Sequence, residues 1–212
     1  MTRSAPGILV SAGLLLAAAG CAGTGPAATP PAADDPTTQA ADPRPQPVLP
    51  ARRARSEVSP RRPASATLPS GRVVPVTAAG TTGAGVLDVP DDVDVAGWWR
   101  GGSRIGDPFG SILLAAHVDS WTEGLGPFAE MLTTSEGARV RLEADGLRQD
   151  FEVTSRRLVP QGGLADDAWI YAAAGDLRLT LVTCAPPYDA GRGGYQNLAV
   201  VSARPIGPPE TT

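Results

Sequence analysis

No tryptophan, tyrosine or phenylalanine precedes Trp98, and all ten aromatic residues of this 212-residue chain lie between Trp98 and Tyr195. Large aromatic side chains dominate core energetics, so the packed mass belongs to the later two-thirds of the chain. That leaves about 140 residues, Ala66 to Gly207, for one compact domain, enough for a substantial core. Residues 208–212 read as a short tail. Within the domain, short β-type runs alternate with Gly, Pro and Asp turns. The expected strands are Arg72–Thr77, Gly85–Val89, Ser111–His117, Ala138–Glu143, Asp150–Leu158, Leu177–Thr183 and Leu198–Ala203. Ala144-Asp145-Gly146 carries an Asp-Gly hairpin signal, and Phe128–Leu132 alone reads as helical, for little more than a turn. Many short strands with closely spaced turns predict an all-β fold, a closed barrel or a sandwich.

The first 65 residues differ in kind. Arg3 precedes an apolar run from Gly7 to Gly20, too short to span a bilayer as a helix and suited to an export signal. The run closes on Ala18-Ala19-Gly20-Cys21, which resembles the lipobox of bacterial lipoproteins, where the cysteine is lipidated. Ala18 stands where leucine is usual. Lipidation at Cys21, ordinary signal cleavage and an uncleaved anchor all remain open, and each places the domain outside the cytoplasm. Residues 22–65 hold ten of the 22 prolines, with abundant Ala, Thr and Asp. Such a segment is expected to be a disordered, extended stalk between a membrane and the domain. Its arginines Arg52, Arg53, Arg55, Arg61 and Arg62 read as a solvated charge run, with anionic headgroups or wall polymers as the alternative contact.

A net charge of −4 argues against nucleic-acid partners, which select a basic face. All 18 basic residues are arginine. No lysine amine of this chain is therefore available as a nucleophile or acceptor.

Two residues carry the chemistry, the one histidine and the one cysteine beyond Cys21. His117, the one histidine, ends the run Ser111-Ile-Leu-Leu-Ala-Ala-His117, and Cys184 ends Leu177-Arg-Leu-Thr-Leu-Val-Thr-Cys184. A thiol is a poor nucleophile until deprotonated, and a neighbouring imidazole is the usual means. Both residues are expected where a buried strand runs into a loop, Cys184 because Pro186-Pro187 breaks the chain just beyond it. Taken singly, each has a plainer reading, a buried inert thiol and a satisfied polar side chain. One histidine and one such cysteine supply too few ligands for a metal site, so neither metal nor cofactor is expected.

The run Thr180-Leu181-Val182-Thr183-Cys184 resembles the TLxTC signature of sortases, the cysteine transpeptidases that attach proteins to Gram-positive cell walls. Further matches accompany it: His117 in a His-Val-Asp-Ser context 67 residues before Cys184, and Val86-Leu87-Asp88-Val89-Pro90 followed by Val95-Ala96-Gly97-Trp98-Trp99. Gly126-Pro127-Phe128 and Tyr195-Gln196-Asn197 complete a pattern similar to actinobacterial class E/F sortases, covering about Ala66 to Pro205. The resemblance implies a closed sortase-type β-barrel. It implies Cys184 as nucleophile on the Thr-Gly bond of an LPxTG-like sorting signal, and His117 as general acid and base. A thioester acyl-enzyme would then be resolved by a cell-wall peptidoglycan amine.

The family's third residue is an arginine that stabilises the oxyanion, and Arg192 is the candidate. Family arginines usually open the last strand, where this chain has Gln196-Asn197-Leu198, so Gln196 and Asn197 stand as alternatives. Ala116 replaces the glycine common before the histidine, and Ala185-Pro186 the Gly-Gly common after the cysteine. Asp119 is assigned either to a hydrogen bond with His117, to loop ordering or to a plain turn. Thr183 is assigned to substrate backbone or to simple strand propensity. The implied partners are exported proteins bearing sorting signals, the wall acceptor and, through the N-terminus, the membrane, with the enzyme a monomer. A hydrolase of the cysteine-peptidase type on the same fold, and a non-enzymatic wall-binding barrel, are the rival readings.

Overall fold

The computed structural model describes residues 58–83, 87–163 and 168–212. The segment read as an export signal, Cys21, Val86 and most of the stalk lie outside these residues. Among them, eight strands close into a barrel: β1 (Ser65–Thr67), β2 (Val73–Ala79), β3 (Ala96–Trp99), β4 (Ser111–Ala115), β7 (Arg139–Ala144), β8 (Leu147–Pro160), β9 (Arg178–Asp189) and β10 (Gly194–Pro205). Their order is β10-β9-β4-β3-β2-β1-β7-β8, and pairing of β10 with β8 closes the ring. A separate hairpin of β5 (Asp119–Ser120) and β6 (Gly124–Leu125) follows His117, and β11 (Glu210–Thr211) adds to β8.

The pairs β2–β3 and β4–β9 are parallel; the other pairs are antiparallel. This explains the two apolar runs that end near His117 and Cys184. Strands covered on both faces read as continuous hydrophobic stretches rather than alternating ones. All five residues of β4 are buried, as are Leu179 to Thr183 of β9. One face fills the barrel with Ile112, Leu114, Leu179, Leu181, Val201 and their neighbours. The other carries Leu113, Ala115, Val182, Leu198 and Val200 beneath an outer layer that includes Ile170, Trp99, Trp169 and Tyr171. By contrast β7 and the first half of β8 alternate, with Val140, Leu142, Phe151 and Val153 turned inward.

The Asp145-Gly146 turn joins β7 to β8 as expected, with Gly146 at φ 69°, a left-handed geometry that glycine adopts freely. The short helix is a 3-10 helix, Pro127–Leu132, which buries Phe128 and Met131 in the barrel. Complete burial of a side chain of this size is worth roughly 1.5–3 kcal/mol.

Several expectations are corrected. Of the expected strand Gly85–Val89, residues 87–89 form no strand: Leu87 makes an isolated bridge to Thr81, and Leu87 and Val89 pack on the outer layer. Their apolar pattern reflects a covering role. The four-residue β3 lacks a period that a sequence reading detects. Gly97 in it allows a close approach, since a Cβ there would sit 2.8 Å from Pro90 Cδ and 2.9 Å from Ala79 Cβ. The fold also extends past both expected boundaries. Arg61 and Ile105 exchange backbone hydrogen bonds of 2.9 and 3.0 Å upstream of Ala66. Downstream, Glu210 pairs with Arg148 at 2.6 Å. Backbone pairing of this kind leaves no mark on composition.

Candidate active site

The register of β4 against β9 builds the site. Ser111 lies beside Arg178, Ile112 beside Leu179, and so on to Ala115 beside Val182, a constant offset of 67 residues. The ladder continues past β4, for Ala116 N–H donates to Val182 O at 3.2 Å. Thr183 Oγ1 then donates to Ala116 O at 2.8 Å. His117 and Cys184 each follow this last linked pair directly and are separated by the same 67 residues. Lower on the same pair, the hydroxyls of Ser111 and Thr180 are hydrogen-bonded at 3.0 Å, both buried. Two polar links thus lock a register whose apolar side chains alone tolerate slippage.

Cys184 is a free, half-buried thiol at the edge of the outer apolar layer. It does not sit at a strand end. β9 continues to Asp189, with Leu198 of β10 opposite the cysteine and Tyr195 opposite Tyr188. Pro186 and Pro187 fall where this register shifts, between Asn197 and Tyr195. Proline lacks an N–H for the ladder, and a bulge accommodates it without ending the strand. Burial raises the thiol's pKa above its ordinary value, and the Asp119 carboxylate raises it further.

Asp119 makes a hydrogen bond that sequence reasoning did not foresee: Tyr195 O–H donates to its Oδ2 at 2.6 Å. This bond, assisted by burial and the charge of Asp119, pushes the phenol up to about 12. The Tyr188 and Tyr195 rings meet edge to face at 5.1 Å. The contact ties the loop after His117 to the β9–β10 hairpin, across 76 residues. The one available signal was Tyr195 in the motif Tyr195-Gln196-Asn197, where no role attached to the phenol.

The remaining expected residues divide. Thr183 is 2% exposed and its hydroxyl is committed to Ala116, so it stiffens the wall behind the thiol instead of reaching a substrate. Gln196 Nε2 donates to Gly194 O, and Asn197 Nδ2 to Pro186 O, each at 2.6 Å. Arg192 lies on a 3-10 helix, Ala190–Arg192, at the hairpin tip, where Asp189 Oδ1 accepts from Gly191 N–H at 2.9 Å. It is exposed, and the Tyr188–Tyr195 rung separates it from Cys184 along the strands.

The outer layer has its own keystone. Arg178 donates to the carbonyls of Trp169, Ala172, Ala174 and Asp176, holding the 3-10 helix Ala168–Tyr171 in place. The Arg157 and Arg178 guanidinium carbons lie 5.0 and 5.7 Å from the Trp169 ring centroid. In the β5–β6 hairpin that follows His117, Trp121 and Leu125 are 99% and 72% exposed.

A family model, the sortase domain, matches residues 69–206. Solved structures share the fold. Listeria monocytogenes sortase A is 19% identical with a TM-score of 0.52, covering 70% of this chain and 88% of that one. The pilus-related sortase C of Group B Streptococcus is 19% identical with a TM-score of 0.52, covering 71% of this chain and 70% of that one. SrtA sortase from Actinomyces oris is 20% identical with a TM-score of 0.51, covering 71% and 83%. No curated protein matches the chain at a significant level.

Proposed function

Because the chain belongs to the sortase family of cysteine transpeptidases, we propose that it cleaves a sorting signal of the LPxTG type at the Thr-Gly bond and joins the threonine to an amine of the cell wall. The observation that carries this reading is the offset of 67 residues between β4 and β9, which equals the separation of His117 and Cys184. Sulfur attacks the threonine carbonyl, and the tetrahedral oxyanion collapses as the C–N bond breaks. His117 delivers a proton to the departing glycine amine, leaving a thioester on Cys184. The incoming amine attacks that thioester, His117 takes its proton, and the thiolate leaves. Burial and the charge of Asp119 raise the thiol pKa, which favours the proton on sulfur; in the proposed sequence the imidazole takes up that proton as sulfur attacks.

Arg192 is the proposed oxyanion donor, brought in by folding of the hairpin tip toward the thiol. The amides of Gln196 and Asn197 already donate to backbone carbonyls, which supports the arginine over either of them. The substrate lies extended near β9 and the loop after His117. The apolar N-terminal run and Cys21 support an exported enzyme held at the membrane, of the class E/F type by its motifs.

Incubation with a sorting-signal peptide and a small amine tests the reading. A ligated product is expected, with the intermediate peptide thioester on Cys184 detected by mass spectrometry, and both lost in Cys184→Ala. Hydrolysed peptide alone would favour the peptidase reading, and no conversion at all would leave a wall-binding barrel.

A further inference from the structure

The strongest feature outside the reacting pair is the contact between Asp119 and Tyr195. We propose that Tyr195 is a positioning residue: by donating to Asp119 it binds the loop that carries His117 to the hairpin that carries Cys184, and it takes up part of the charge of that carboxylate. The inference rests on the transpeptidase reading only for its catalytic consequence.

Three observations support it. The bond is short, 2.6 Å, and joins segments 76 residues apart. Its two ends belong to the elements that bear the reactive atoms, since Asp119 is two residues after His117 and Tyr195 is three residues before Leu198, the partner of Cys184. Third, the phenol is itself oriented, by the Tyr188 ring at 5.1 Å. The ionisable groups on β9, on the elements joined to it and on the outer layer include His117 after β4, Asp119 on β5, Arg178, Tyr188 and Asp189 on β9, Arg192 at the hairpin tip, Tyr195 on β10, Arg156 and Arg157 on β8 and Tyr171 on the outer layer. Of these, Asp119 is the one whose charge raises the thiol pKa. A carboxylate sharing a phenolic proton presents less charge to its surroundings than a bare one.

The test follows the alkylation of Cys184 in the full chain against pH, using iodoacetamide and peptide mass mapping to separate Cys184 from Cys21. Tyr195→Phe frees the Asp119 charge, so the alkylation profile moves to higher pH and the rate at pH 8 falls about threefold. Asp119→Asn removes the charge, so the profile moves to lower pH and the rate at pH 8 rises about threefold. The double variant behaves as Asp119→Asn alone, because the phenol then has no carboxylate to engage. A role in packing alone predicts shifts of one sign, or none. Either result, or additive effects in the double variant, overturns the proposal. If Tyr195→Phe does not fold, an Asp119→Asn profile that fails to move to lower pH overturns it equally. Alkylation needs no peptide, so opposed shifts without any ligation would overturn the transpeptidase reading and leave the clasp standing.

Discussion

The hydroxyl of Thr183 donates to the carbonyl of Ala116 at 2.8 Å, tying the residue before Cys184 to the residue before His117. Both residues are buried, so this bond has no competition from solvent. It fixes the spacing of the segments that lead into His117 and Cys184.

Thr183→Val keeps the shape and deletes the donor. The Ala116 carbonyl then loses its side-chain partner in a dry wall, at a cost of about 1–3 kcal/mol. Thermal unfolding should show that loss, and peptide ligation should fall further than Thr183→Ser, which retains the hydroxyl. Equal ligation rates in the two variants would detach this bond from catalysis.

Arg192→Ala should lower the ligation rate by at least about 10²-fold, the effect of removing one oxyanion donor. Substrate binding by the barrel face should change far less, so the loss falls in kcat. A rate near that of the parent would shift the role to Gln196 or Asn197.

Gly126→Ala tests the packing beneath the histidine loop. A Cβ there would lie 2.5 Å from Val93 Cγ2, 2.8 Å from Val93 O and 3.2 Å from His117 O. Two of these neighbours are backbone atoms, which yield little, so overpacking should cost about 1–3 kcal/mol. Displacement of the His117 segment should lower ligation even at temperatures where the variant stays folded. A variant as stable and active as the parent would contradict this packing.

Tyr195 gives a prediction at alkaline pH. Its pKa is raised from the usual phenol value of 10 to about 12 in the folded chain. The contribution of its hydrogen bond is therefore complete below about pH 10 and disappears as pH rises through about 12. Ultraviolet titration should show a late-ionising phenol that is lost in Tyr195→Phe, and stability should decline over that window more in the parent than in that variant. Matching declines would show that the phenol is not held by Asp119.

The candidate pair was legible in the sequence because it consists of rare residues. A single histidine and a single cysteine in the domain, each closing an apolar run, identify their own strands, and β4 and β9 are apolar throughout because both faces are covered. The shortest strands were not legible. β1, β3 and β11 have two to four residues each, too few to display a period. Pro186-Pro187 suggested a strand end, yet β9 passes through them on a shifted register.

The amino-acid order by itself determined which atoms can react and which segments must be buried, because reactivity and hydropathy belong to individual side chains. It also supplied the interval of 67 residues, although an interval alone has no direction in space. Only the tertiary structure decided that β4 and β9 run parallel at that same offset, that Thr183 faces Ala116 and that Tyr195 reaches Asp119. Pairings of this kind depend on closing long loops and filling a barrel from all sides at once, so no local stretch of chain encodes them.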